Sequence, residues 1–296
     1  MLKLNKGDKV AIVAPSGQIG SDEKIKDGLK YLKKLGLCPI LGKHTLSKYR
    51  YMAGSDKERA EDINNAFLKP EIKAIFCVRA AAGATRILPF INYSQIKKNP
   101  KPLIGFCDNA ALMLALNKKA NIISWNGFLL TYDFKDKKLD PLIQNHIENL
   151  LNGKKYIINS GHTIKKGTTK GQLICCNLSV LLRLAGTPYF PNLKNKILLI
   201  EDVHERLHKI DLMLQQLKQL PNFNKISGII LGQFTDIDSD EEDGSLNDSI
   251  EDFVKDLDIP IIKDFCFGHT KSRCILPLGG TVKFSATKCS LEITGN

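Results

Sequence analysis

Residues 102–119 read PLIGFCDNAALMLALNKK. Leu103 to Phe106 is a short apolar run of the length and composition of a buried strand. Asp108 to Lys119 is rich in Ala and Leu and ends in lysines, as helices do. Strand and helix meet at one step, Cys107-Asp108. A strand passing at once into a helix is the unit of parallel α/β sheets, and it sets Cys107 at a helix N-terminus, where partial positive charge favours an anion. The Asp108 backbone N–H would then face a developing oxyanion, as in a nucleophile elbow. The other reading of a lone Cys is a small buried hydrophobe.

Working outward, the preceding segments repeat the alternation. VAIVAP (10–15), CPILG (38–42) and IKAIFCVR (72–79) read as strands. Between them lie two helical stretches. One opens at Ser21-Asp22-Glu23 and stops at Gly36; the other, residues 55–69, carries Ser55 and Glu58 at capping-box spacing. The pattern predicts an α/β protein whose N-terminal domain, residues 1–135, has a mainly parallel sheet and carries the elbow. Residues 136–168 are polar and glycine-containing and read as an inter-domain connection. Residues 169–296 predict a smaller C-terminal α/β domain. Its strands are KILLIEDV (196–203) and SGIILGQF (227–234), with an amphipathic helix between them. The active site is expected between the two domains.

The 296 residues are 43% hydrophobic and 25% charged, with a net charge of +12. These are values of a globular protein. No apolar run reaches the roughly 20 residues that span a bilayer, and the first apolar run is too short for a signal core. A cytoplasmic protein with eight reduced cysteines is expected. The lysines are scattered without aromatic platforms, which argues for a solvated basic surface and an anionic small substrate rather than nucleic acid. No membrane partner is expected.

Three motifs invite metal chemistry and are better explained otherwise. HERLH (204–208) has the HExxH spacing of a zinc helix. However, His204 follows the 196–203 strand too closely for a helix to have begun, and Leu207, Ile210, Leu214 and Leu217 already account for the helix as amphipathic. The acidic loop 236–243 lacks the Gly and Glu of a calcium loop. Cys175-Cys176 are adjacent, which is poor zinc geometry. APSGQIG (14–20) reads as an ordinary strand-to-helix turn. A nucleophilic Cys107 would need a base and an orienting acid: His269 in FGHT is the best placed histidine by local context, and Glu201 ends an apolar strand.

GDKVAIVAPSG, NPKPLIGFCDNAALMLAL, NLSVLLRLAGTPYFP with ILLIEDVHERLHKIDLMLQQL, and IPIIKDFCFGHTKSRCILPLGG stand in the order of the corresponding LD-carboxypeptidase segments. The chain resembles that family, whose relatives include microcin C self-immunity proteins, over nearly its whole length. The resemblance implies a two-domain fold, often a homodimer, without cofactor or metal. It implies hydrolysis of the bond to the terminal D-alanine of cytoplasmic murein tetrapeptide in peptidoglycan recycling. Cys107 stands where the family has its nucleophilic Ser, Glu201 at the catalytic Glu and His269 at the catalytic His. Asp108 and Ala81 fall at the oxyanion hole, and Arg79, Asn126 and Asn177 at substrate-binding positions. The chain departs from the family at Cys107, at Ala80 and Ala81, at Cys175 and Cys176, and around Asn126. A binding protein without turnover is the alternative these departures suggest.

Overall fold

The structure, a computed structural model, describes residues 3–136 and 138–294. The first half builds β1 (Lys9–Val13), β2 (Cys38–Leu41), β3 (Ile72–Cys77), β4 (Leu103–Gly105) and β5 (Ser124–Asn126). Its helices are α1 (Glu23–Lys34), α2 (Asp56–Leu68), α3 (Ala84–Ile87), α4 (Tyr93–Lys98) and α5 (Ala110–Ala120). Strands β1 to β5 are parallel, in the order β5-β4-β3-β1-β2. In β1, β3 and β4 the buried residues are continuous rather than alternating, because helices cover both faces.

The second half begins with α6 (Pro141–Leu151), β6 (Tyr156–Asn159), β7 (His162–Lys165), β8 (Thr168–Asn177), α7 (Leu178–Leu182) and β9 (Lys196–Val203). It continues through α8 (Leu207–Gln219), β10 (Gly228–Thr235), α9 (Leu246–Val254), β11 (Ile261–Lys263), β12 (Leu276–Leu278), β13 (Thr281–Ser285) and β14 (Ser290–Ile293). An eight-stranded mixed sheet runs β6-β14-β13-β8-β9-β10-β11-β7, with β8 to β11 parallel. Strand β12 crosses back and pairs antiparallel with β5, completing a six-stranded first sheet.

The stretch 136–168, expected as a connection, holds α6 and two strands of the second sheet. Asp140 caps α6 through Leu142 N and Ile143 N, Pro141 fills its first turn, and Ile143, Ile147, Leu150 and Leu151 form its buried stripe. From Ala110 to Leu116 helix α5 is apolar and buried all round: it packs on β5 and β12 and against α4, β8 and α7. The capping box at Ser55 and Glu58 is present, with Ser55 Oγ accepting from Glu58 N.

This topology decides where a site can form. Strand β1 has β2 on one side and β3 on the other, so successive connections leave it in opposite directions. A crevice opens outside the carboxyl ends of strands at such a switch point. The segments following β1, β3 and β4 meet there.

Candidate active site

Cys107 occupies the turn after β4. Phe106 is still extended, but Cys107 has φ +59°, in the left-handed region, before the turn 107–109 feeds α5. A non-glycine residue held there costs about 1–3 kcal/mol and persists only where its surroundings determine it. Here they do. Buried Asp108 accepts from Ser16 Oγ at 2.5 Å and from Ala84 N at 2.8 Å, joining the elbow to the turn after β1 and to the start of α3. Asn109 Nδ2 donates to Arg79 O and to Phe106 O, both at 3.2 Å. APSGQIG therefore does more than turn the chain: its Ser16 braces the elbow.

The segment after β3 is held as firmly. Arg59, 1% exposed, donates to Pro15 O and Gly83 O. Ala81 lies between these anchors at φ +126°, a conformation that glycine adopts and alanine resists. Among the described residues, neither the Ala81 nor the Asp108 backbone N–H has a hydrogen-bond acceptor.

Glu201 and His269 come from the second half. Glu201, near the end of β9, is fully buried and its Oε2 lies 2.9 Å from His269 Nδ1. A carboxylate can only accept, so Nδ1 donates and Nε2 is left for Cys107. Burial alone would lower the His269 pKa, but the neighbouring Cys107 and Glu201 outweigh it and raise the group to about 10. Burial pushes Glu201 up, and the His269 hydrogen bond pulls it back. Among the described residues, Glu201 Oε1 is buried without a partner. Gly268 lets the segment before His269 lie this close: it has φ +146°, and a Cβ there would sit 2.8 Å from Gln233 O and 3.2 Å from Glu201 Oε2.

Cys107 and His269 open on a cavity of about 800 Å³ whose wall includes Arg79, Ala81, Tyr132 and His204. That is the size of a small-ligand pocket. Asn126 and Asn177 are buried and are not part of this wall. Asn126 Nδ2 donates to Cys175 O at 2.8 Å, tying β5 to β8, and the Oδ1 of each Asn is unpartnered. Cys175 and Cys176 are sealed in core, where burial drives both thiols well up.

HERLH forms no helical face. His204 has φ +56° in the turn after β9, and α8 starts only at Leu207. Among the described residues no three His, Cys, Asp or Glu side chains come together as a metal site.

Sequence reading missed Arg273. Its guanidinium is fully buried, ion-paired with Asp133 and 4.4 Å from the centre of the Phe106 ring. The one local signal was an arginine immediately before an apolar segment, CILPL (274–278).

A strained thiol, an imidazole and a buried carboxylate beside a cavity, on two α/β sheets, are the makings of a nucleophilic hydrolase. The chain belongs to the LD-carboxypeptidase family. The family's N-terminal domain matches residues 10–127 and its C-terminal domain residues 170–284. A putative carboxypeptidase of Synechocystis is 32% identical over 98% of this chain and 96% of its own length. A probable murein peptide carboxypeptidase of Bacillus subtilis is 30% identical over 93% of this chain and 88% of its own. The crystal structure of muramoyltetrapeptide carboxypeptidase from Oxalobacter formigenes superposes with TM-score 0.87 at 26% identity, covering 96% of this chain and 97% of that one. The protein is accordingly a carboxypeptidase-type enzyme.

Proposed function

We propose that the protein releases terminal D-alanine from murein tetrapeptide in peptidoglycan recycling, with Cys107, His269 and Glu201 as its catalytic residues. The observation that carries this reading is the His269 imidazole, held by the Glu201 carboxylate at 2.9 Å and opening with Cys107 on one cavity.

His269 Nε2 first takes the proton of the Cys107 thiol as general base. Cys107 Sγ attacks the carbonyl carbon of the scissile bond, and the N–H groups of Asp108 and Ala81 stabilise the oxyanion. As the intermediate collapses, the C–N bond breaks and His269 Nε2 passes its proton to the departing D-alanine amine. Water then gives a proton to His269 and adds to the thioester. Collapse expels the thiolate and frees the shortened peptide. Glu201 orients the ring and stabilises its positive charge throughout. Arg79, on the cavity wall, serves a substrate carboxylate. Asn126 acts from behind that wall by holding β5 to β8. Cytoplasmic location and a homodimer follow from the same family reading; light scattering measures the second.

A second reading is favoured by Ala81, whose strained backbone sits where an oxyanion donor is needed. In this reading the protein binds muropeptide without turnover. Incubation with murein tetrapeptide separates the two. D-alanine release that is lost on thiol alkylation and unaffected by a chelator supports hydrolysis by Cys107. Tight peptide binding with no release supports the second reading, and loss on chelation alone would return HERLH to consideration.

A further inference from the structure

Beyond the three proposed catalytic residues, the cavity wall leans on a group that none of their roles requires. Arg273 lies four residues after His269 and is sealed from solvent. Its Nη2 pairs with Asp133 Oδ1 of the first half, and its Nη1 donates to Thr270 O at 3.1 Å, next to His269. The guanidinium carbon lies 4.4 Å from the Phe106 ring centre and 5.2 Å from that of Tyr132. The Phe106 ring in turn lies 4.6 Å from the imidazole of His269, tilted by 35°. Phe106 immediately precedes Cys107. One side chain thus grips the backbone beside the imidazole and stacks on the ring that lies against the imidazole.

The energetics agree. A buried guanidinium is retained where its fork makes bonds that a hydrophobic residue could not, since a buried ion pair gives little net stability. Cation–π contact over an aromatic face strengthens when desolvated, as here.

We propose that Arg273 is a positioning residue, setting the His269 ring against Cys107 through Phe106 and the Thr270 carbonyl. The proposal rests on the Cys107–His269 pairing given above, and its test needs no turnover.

The experiment measures the iodoacetamide alkylation rate of Cys107 at neutral pH by mass spectrometry of its peptide. Peptide resolution matters, because a hydrogen bond from Cys274 lowers the Cys266 thiol to about 7 and makes it a second reactive site. Arg273→Lys keeps the charge beside Asp133 but loses the planar fork. Its Cys107 rate is expected to fall about tenfold, the scale of a small misplacement of a catalytic group. In a His269→Ala background the same substitution is expected to change nothing further, because the route runs through the imidazole. A purely structural role would lower the melting temperature without that dependence on His269. A folded Arg273→Lys protein within twofold of wild type overturns the proposal, as does a loss that persists undiminished in the His269→Ala background. If Arg273→Lys does not fold, Phe106→Leu removes the intervening ring and leaves the Arg273–Asp133 pair; an unchanged rate there is equally fatal. If His269→Ala itself alkylates as fast as wild type, the Cys107–His269 reading fails and takes this one with it. A slow His269→Ala with an unaffected Arg273→Lys fails this inference alone.

Discussion

Three described non-glycine residues on the cavity wall have positive φ: Cys107 at 59°, Ala81 at 126° and His204 at 56°. At Cys107 the strain aims a thiol. At Ala81 the methyl group adds nothing to the site, so its strain is pure cost. Ala81→Gly is therefore expected to stabilise the protein by about 1 kcal/mol and to raise kcat, by relaxing the loop around an oxyanion donor. Urea denaturation and steady-state kinetics check the two halves, and a less stable variant would count against the strain argument. His269 supplies the pH dependence. Its folded pKa of about 10 lies above the ordinary 6.5, so the stability it contributes is complete below pH 6.5 and is lost as pH rises through 10. The raised Glu201 acts in the same direction from lower pH, since an acid with raised pKa favours the folded state only while protonated. The stability advantage of wild type over His269→Gln should thus shrink from pH 6.5 to 10, by at most about 1.4 kcal/mol per pH unit. A constant difference would refute the assignment.

Among elements, β9, β10 and the segment after β11 bring Glu201 and His269 together. Gln233 N donates to Phe267 O at 2.8 Å, and a Cβ on Gly232 would lie 2.4 Å from the same oxygen. The His269 segment is thus laid on β10 at backbone contact. Gly268→Ala is expected to destabilise by about 1–3 kcal/mol and to lower kcat up to about a hundredfold, because the added methyl meets Gln233 O and Glu201 Oε2. Chemical denaturation with kcat measurement tests it; a wild-type kcat would show that the close approach does not set the pair's geometry. Element-level signals explain what sequence reading could and could not see. The strand–Cys–Asp–helix step was legible because it is local, and so was the Ser55 capping box. The helix α6 was hidden by lysines on both sides and by Gly153 after it, although Asp140-Pro141 announced its start.

At the scale of the whole molecule, the net charge of +12 surrounds a cavity lined in part by Lys24, Arg79 and Lys135. A peptide bearing several carboxylates would be drawn in by this field, which salt screens over about 8–10 Å at physiological strength. kcat/KM for murein tetrapeptide should fall as ionic strength rises, while kcat stays level. A salt-independent kcat/KM would mean that the surface charge does not steer this substrate.

Alternating apolar runs, caps and turns made the α/β class readable, because each depends on residues a few positions apart. The chemistry at Cys107, Glu201 and His269 could be nominated because each ends or follows a recognisable strand. Tertiary structure alone brought those three together from positions 107, 201 and 269 and returned β12 to the first sheet. It also placed Arg273 against Asp133, 140 residues away, with Phe106 between it and the imidazole. Local pattern carries backbone preference and burial; which side chains meet across two sheets depends on long-range packing, which no short stretch encodes.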